Sequence, residues 1–163
     1  MNSTCNSTSC NDATWNASNR IVSLFTSNAP DAQQQAQEIA QEKAHFQDVV
    51  DGLFKETGKK IDRESNEIAF LQMGERLMPY KLSSGEKQML IILLTALVQN
   101  REHYVMFMEE PEISLHIDWQ KKLVGLVRDI NPNAQIILTT HSPAVIMDGW
   151  MDCVTDVEDI VSN

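Results

Sequence analysis

The sequence has 163 residues, of which 42% are hydrophobic, and it carries a formal net charge of −10. This length suffices for one domain with a hydrophobic core. The acidic balance argues against a large nucleic-acid footprint made by this chain alone, but leaves open nucleic acid bound through a partner. Three cysteines make neither a disulfide framework nor a paired zinc site and, without a signal peptide, indicate the cytoplasm. No apolar run approaches the ~18–20 residues of a membrane span, so we expect no membrane insertion.

The first part of the chain is predicted to consist of a disordered segment followed by a helix. Residues 1–20 are polar and are expected to be disordered. Residues 31–55 are rich in Ala, Gln and Glu and predict a helix that ends at Thr57-Gly58. Its apolar residues at helical spacing are Ile39, Phe46, Val50 and Leu53. A β-hairpin follows, with strands over 67–72 and 75–80 around a Met73-Gly74 turn.

The second half reads as an apolar helix followed by a crossover unit. Residues 85–98 predict a helix that is buried on most sides. Residues 104–108 and 134–139 are short continuous apolar runs, which indicate strands covered on both faces, as in a parallel sheet. An amphipathic helix over 117–130 separates them, so the pattern predicts a parallel strand–helix–strand unit.

The C-terminal part is predicted to contain a short helix and a short strand. Ser142 is a good helix N-cap and Pro143 a good first helical residue for a helix that reaches Asp148. The remaining residues are interpreted as a short strand and a final turn.

The first candidate site is the helix start that reads Ser83-Ser84-Gly85-Glu86. Ser83 and Glu86 have the spacing of a capping box, in which each side chain bonds to the backbone N–H of the other residue. The same start is typical of an anion site, because free N–H groups, hydroxyls and a glycine allow a phosphate to approach closely. The two interpretations are compatible.

The second candidate is the acidic strand end Glu109-Glu110-Pro111-Glu112. One interpretation is a solvated acidic turn. The other is a magnesium site, because Mg²⁺ takes one or two carboxylates together with phosphate oxygens and waters. A neighbouring carboxylate would then orient or deprotonate an attacking water.

The third candidate is His141, which follows the second predicted strand. A lone histidine is commonly structural. Parallel strands, however, end at one edge of a sheet, so His141 is expected beside Glu109 and Glu110, where ligands of open α/β sheets bind. A donor at this edge could contact a transferring phosphoryl group.

These motifs, in this order, resemble the C-terminal half of an ABC-type ATPase. Residues 82–88, LSSGEKQ, are similar to the LSGGQ signature, and residues 105–110 to a Walker B strand. Residues 113–116, ISLH, occupy the D-loop position, and His141 occupies the switch-histidine position. The sequence Glu-Glu-Pro-Glu, followed by Leu-His, resembles the motifs of the overcoming-lysogenization-defect and AbiEii-like AAA ATPases more closely than those of transporter subunits.

The resemblance implies an α/β fold that is part of an ABC-type P-loop NTPase fold, with parallel strands, crossover helices, a helical segment and a small β-hairpin. Residues 21–80 would form the helical segment and the hairpin. Residues 81–163 would contain the signature helix, the Walker B strand and the switch histidine.

The resemblance also implies ATP and Mg²⁺ as ligands and a role for each motif. Glu109 would hold Mg²⁺, Glu110 would position or activate the hydrolytic water, and His141 would contact the γ-phosphate. Ser114 would lie at the seam of a head-to-tail dimer. The signature residues that would meet a nucleotide held mainly by a second subunit are Ser83, Ser84, Gly85 and Glu86.

Two departures from the family pattern affect these expectations. The metal position usually holds Asp, and the longer Glu109 would move its carboxylate outward. The chain also contains no G-x-x-x-x-G-K-[ST] loop, because its only Gly-Lys pair, Gly58-Lys59, lacks the glycine required at position 53. We therefore expect a chain cut off before its nucleotide-binding lobe, with little or no ATP hydrolysis by itself.

Three functions follow from this pattern. The intact protein would be a soluble ATPase that drives or senses a phage-defence or DNA-repair-like process, with a nuclease or toxin as effector partner. Alternatively, the chain would be a non-catalytic module that gives its signature face to a complete partner ATPase. The third alternative is a transporter nucleotide-binding subunit.

Overall fold

A computed structural model describes residues 29–65, 67–147 and 149–161. The predicted disorder of residues 1–20 lies outside these residues. Contacts separate the chain into two units after Gln41, and every residue of the candidate sites lies in the second unit, Glu42–Asn163.

The first helix, α1, runs from Ala29 to Leu53, close to the predicted 31–55. Its predicted apolar stripe is confirmed at Phe46, Val50 and Leu53, which are buried, but not at Ile39, which is 67% exposed. A 3-10 turn over Lys55–Thr57 follows and ends at Gly58. The φ of Gly58 is +68°, a left-handed conformation that residues with a side chain rarely adopt.

A three-stranded antiparallel sheet comes next. Its strands are β1 (Lys59–Ile61), β2 (Phe70–Gln72) and β3 (Glu75–Leu77), in the order β1-β2-β3. The predicted hairpin is confirmed as β2 and β3, although both strands are shorter than expected. The prediction missed β1, which is a three-residue strand without a continuous apolar run.

Helix α2 runs from Ser84 to Val98, one residue longer than predicted. Its burial agrees with the apolar sequence, apart from Ile91 and Val98, which are 62% and 67% exposed. The buried residues that join it to the core are Met89, Leu90, Ile92, Leu93 and Ala96.

A parallel crossover unit forms the rest of the fold, as predicted. It consists of β4 (Tyr104–Glu109), α3 (Ile117–Ile130) and β5 (Ala134–Thr139). The two strands pair in parallel, with Tyr104 opposite Ala134 and Glu109 opposite Thr139. Their C-terminal ends therefore meet at one edge of the sheet.

The prediction that β4 and β5 are covered on both faces is wrong for the described part of the chain. Met106 on β4 is buried in the core, whereas Val105 and Phe107 on the opposite face are 46% and 75% exposed. Ile137 on β5 lies opposite Phe107 in the register and is 44% exposed. The apolar composition of a strand reports its hydrophobicity on both faces but not whether both faces are packed.

The C-terminal part is helical rather than extended. Helix α4 (Pro143–Ile146) begins at Pro143 with Ser142 at the N-cap position, as predicted, but no side-chain capping bond forms. A 3-10 turn (Met151–Cys153) and helix α5 (Val157–Val161) follow. The predicted short strand is wrong within residues 149–161, since they contain no strand.

One hydrophobic core joins the two sheets to α2, α3 and the end of α1. The ring of Phe54 packs against those of Phe70 and Trp119, with centroid distances of 5.5 and 5.7 Å. Aromatic pairs at these distances add to the free energy gained by burial. This packing fixes the small antiparallel sheet against the crossover unit that positions the candidate site.

Candidate functional site

The start of α2 is a complete capping box, which confirms the interpretation drawn from the sequence. The Ser83 hydroxyl accepts a hydrogen bond from the Glu86 N–H at 3.3 Å. The Ser83 N–H donates to Glu86 Oε2 at 2.9 Å. Ser83 and Ser84 are exposed, so their hydroxyls can reach a ligand outside the helix start.

Glu86 has a second role that the sequence did not indicate. Its Oε1 atom lies 2.8 Å from Lys59 Nζ on β1, and the two side chains are only 3% and 13% exposed. Burial acts to raise the pKa of Glu86, but the hydrogen bonds from Lys59 and Ser83 prevail and hold that pKa below its ordinary value of 4.5. Both carboxylate oxygens of Glu86 are thus bonded within the chain.

Gly85 lies against the backbone of the segment between β4 and α3. A Cβ atom added at Gly85 would overlap the Ser114 carbonyl oxygen. Ser114 is itself exposed, with a φ of +73°. The start of α2 and the predicted D-loop position therefore pack together through their backbones.

The acidic strand end and the histidine are neighbours. Glu109 is the exposed last residue of β4. Glu110 donates its N–H to the Thr139 carbonyl at 2.9 Å, which extends the pairing of β4 with β5. Glu110 Oε1 lies 3.5 Å from His141 Nε2, so the structure places His141 at the sheet edge where the sequence predicted it.

Glu110 also has an unusual backbone conformation. Its φ is +42°, in the left-handed region, which costs roughly 1–2 kcal/mol for a residue with a Cβ. Residues in such conformations are concentrated at functional sites. The geometry of Glu110 thus adds to the argument from its sequence context.

Glu112 and Thr140 belong to this region, although the sequence did not single out either as a site residue. Glu112 is 8% exposed, and its Oε1 accepts hydrogen bonds from the Thr140 hydroxyl and, at 3.0 Å, from the His141 N–H. Glu112 was visible as part of the acidic cluster, but the sequence does not distinguish this buried carboxylate from the exposed Glu109 and the half-exposed Glu110.

The donor set at the sheet edge fits a magnesium ion that completes its shell with other oxygens. Glu109 and Glu110 supply carboxylates at one strand end. The described residues contain no group of three or more His, Cys, Asp or Glu side chains arranged to hold a metal by themselves. Carboxylates are among the oxygen ligands of Mg²⁺, which usually takes one or two of them together with phosphate oxygens and waters.

The parallel β4–α3–β5 unit, with carboxylates and a histidine at its C-terminal edge, is compatible with part of a P-loop NTPase fold. The chain belongs to the family described as "AAA domain, putative AbiEii toxin, Type IV TA system", which matches residues 14–148. This match confirms the resemblance to the ABC-type and AbiEii-like AAA ATPases and supports a general ATPase function.

Three relatives are similar to parts of the chain. "ABC transporter A family member 7" of Dictyostelium discoideum is 30% identical over 115 residues, 61% of this chain and 13% of that protein. "Retron Vc95 probable ATPase" of Vibrio cholerae serotype O1 biovar El Tor is 27% identical over 99 residues, 53% of this chain and 19% of that protein. "Septu protein PtuA" of Bacillus thuringiensis is 43% identical over 49 residues, 30% of this chain and 12% of that protein.

The matched segments thus span less than a fifth of each relative. Among the helices in the described residues, none combines the length and the apolar character that crossing a bilayer requires.

Proposed function

We propose that the chain supplies the signature face and the hydrolytic edge of an ATP site in a cytoplasmic AAA/ABC-type ATPase. The observation that carries this proposal is the pairing of Glu110 with His141, 3.5 Å apart at the C-terminal edge of the parallel sheet. At this edge a carboxylate can take a proton from water, while the neighbouring histidine can donate a hydrogen bond to a phosphoryl oxygen.

Each side chain has a part that suits its position. Glu110, half-exposed, orients the attacking water and accepts its proton. His141, largely exposed, donates to the γ-phosphate, and the exposed Glu109 contributes a carboxylate to Mg²⁺. Bound Mg²⁺ neutralises phosphate charge, and the residues of this chain supply the general base and the donor.

The start of α2 would meet the γ-phosphate of a nucleotide bound mainly to a second subunit. The exposed hydroxyls of Ser83 and Ser84 and the positive end of the helix dipole favour an anion. Gly85 and Glu86 act by shaping this start, because Gly85 packs on Ser114 and Glu86 completes the capping box. Ser114 lies at the seam of the head-to-tail pair.

The chain contains no loop of the form G-x-x-x-x-G-K-[ST] to hold the α- and β-phosphates. The isolated chain is therefore expected to bind MgATP with a Kd of about 1 mM or weaker and to hydrolyse little of it. Isothermal titration calorimetry checks this expectation, and binding in the micromolar range would show that the phosphate site is misplaced.

The catalytic part of the proposal is tested by mixing the chain with a family member that contains the missing loop. The wild-type chain is expected to raise MgATP hydrolysis by the mixture. Glu110→Gln should lower that added rate by about 100-fold or more, because it removes the base, and should stabilise an ATP-dependent complex on size-exclusion chromatography. Glu102→Gln, an exposed carboxylate at the opposite end of β4, is the matched control and should behave as wild type.

The second candidate function is a non-catalytic module, which the missing loop favours. It predicts that wild-type chain and Glu110→Gln stimulate the partner equally. If neither protein forms an ATP-dependent complex or changes hydrolysis, both proposals fail. Effector partners such as a nuclease or a toxin remain part of the proposal for the whole protein, which the relatives named after a retron and after Septu motivate.

A further inference from the structure

Glu112 lies in the turn after β4 but bonds to the loop after β5. Its Oε1 accepts the hydroxyl of Thr140 and, at 3.0 Å, the backbone N–H of His141. The neighbouring carboxylate Glu110 faces the imidazole of the same histidine at 3.5 Å. His141 is thus held at its backbone by one carboxylate and faced at its ring by another.

The contact between Glu112 and Thr140 continues into a hydrogen-bond network that reaches α3. The Ser142 N–H donates to Thr140 Oγ1 at 3.0 Å, and the Ser142 hydroxyl donates to Gln120 Oε1 at 2.6 Å. Gln120, on α3, donates from Nε2 to the Leu115 carbonyl at 3.0 Å. The Ser142 hydroxyl is thus directed towards Gln120, and it makes no capping bond to α4.

Burial and charge set Glu112 apart from Glu109 and Glu110. Burial acts to raise its pKa, but the hydrogen bonds from Thr140 and from backbone N–H groups prevail, so its pKa lies below the ordinary value of 4.5. Its Oε2 atom is buried and has no hydrogen-bond partner among the described residues. An unpaired buried acceptor lowers stability, so fold stability alone does not account for an ionised carboxylate here.

We propose that Glu112 is a positioning residue for His141: its buried carboxylate fixes the Thr140–Ser142 loop so that the imidazole stays beside Glu110. Glu112 does not touch the nucleotide. The inference rests on the proposed function, since the role of His141 does. Groups that act on a transferring phosphoryl group must be held within about 0.5 Å of their productive positions. A loop at the end of a strand reaches this precision only when hydrogen bonds such as those of Glu112 hold it in place.

Amide hydrogen exchange of the full chain, followed by NMR without nucleotide, tests the placement directly. Thr140→Val keeps the shape of the side chain but removes the hydroxyl, whereas Thr140→Ser retains it. Thr140→Val should raise the exchange rates of the His141 and Ser142 amides by about tenfold, as expected for losing hydrogen bonds to a charged group. Thr140→Ser should restore rates near those of the wild type.

Glu112→Gln is the second variant and should raise the His141 rate in the same direction, while Glu102→Gln should not. Exchange that rises equally throughout the core would indicate a general loss of stability and would overturn the inference. Unchanged His141 and Ser142 rates in both Thr140→Val and Glu112→Gln would also overturn it. If Glu112→Gln does not fold, the comparison of amide exchange rates between Thr140→Val and Thr140→Ser decides the test.

A kinetic readout separates this inference from the proposed function. In the mixture with the complete family member, Thr140→Val should lower kcat with KM unchanged, and Thr140→Ser should recover it. If the local exchange changes occur but neither wild type nor variant affects hydrolysis, the proposed function fails and the placement of His141 by Glu112 stands. If wild type stimulates hydrolysis and Thr140→Val matches it in both kcat and exchange, the inference fails and the proposed function stands.

Discussion

Lys59→Met is expected to lower the free energy of unfolding by about 3 kcal/mol at pH 7, because it leaves the buried carboxylate of Glu86 without its cation. The two groups are 2.8 Å apart and are 3% (Glu86) and 13% (Lys59) exposed. The cost is that of an unpaired buried charge rather than the net contribution of the ion pair. Urea unfolding followed by circular dichroism measures it.

The difference should shrink as the pH falls, which identifies Glu86 as the cause. In the wild type the pKa of Glu86 is lowered, so its contribution is present above the unfolded value of 4.5 and is lost as the pH falls through the folded value. Without Lys59, ionised Glu86 loses the hydrogen bond that lowers its pKa most, so protonation of Glu86 at low pH costs the variant less stability than it costs the wild type. The stability difference between the two proteins should therefore narrow as the pH falls below 4.5 and through the lowered pKa of Glu86 in the wild type.

Lys60→Met is the matched control, because it changes the net charge equally at an exposed neighbour on the same strand. It should change stability by no more than ~0.5 kcal/mol. The double change Lys59→Met with Glu86→Gln should recover part of the loss, since glutamine can complete the capping box without a charge. Equal losses in Lys59→Met and Lys60→Met would contradict the buried-charge argument.

The sequence predicted helices α1 to α4, the hairpin and the crossover strands because each has a local signal, but it did not predict α5. The capping box at Ser83 and Glu86 and the amphipathic period of 117–130 depend on residues a few positions apart. Strand β1 lacks such a signal, since it is only three residues long and its pairing with β2 depends on residues about ten positions away. Strand β1 also carries Lys59, the cation that pairs with Glu86 and lies 27 positions before it in the sequence.

The candidate site shows the same division between local and distant information. Parallel strand ends predicted that Glu110 and His141 share an edge, and the structure brings them to 3.5 Å. Nothing in the spacing of the acidic residues indicates that Glu112 is buried and that its carboxylate bonds across 28 residues to Thr140. Burial depends on packing against the rest of the fold, so the acidic cluster alone could not show that Glu112 is the one buried carboxylate of the three.

The contact of Gly85 with Ser114 leads to the second large prediction. Gly85 lies in the first turn of α2, and its φ is not in the left-handed region, so dihedral strain does not require a glycine there. The requirement is space, since a Cβ atom would overlap the Ser114 carbonyl oxygen, which belongs to the backbone and cannot rotate away. Gly85→Ala should therefore lower the free energy of unfolding by about 1–3 kcal/mol.

Gly125→Ala is the control that gives the opposite sign. Gly125 lies inside α3, and a Cβ atom there would meet no atom within 4 Å. Alanine in the interior of a helix is favoured over glycine by about 1 kcal/mol, so this variant should be more stable than the wild type. Urea unfolding of both variants under one set of conditions makes the comparison. If Gly85→Ala were also stabilising, the backbone contact that ties the start of α2 to Ser114 could not be as close as the structure has it.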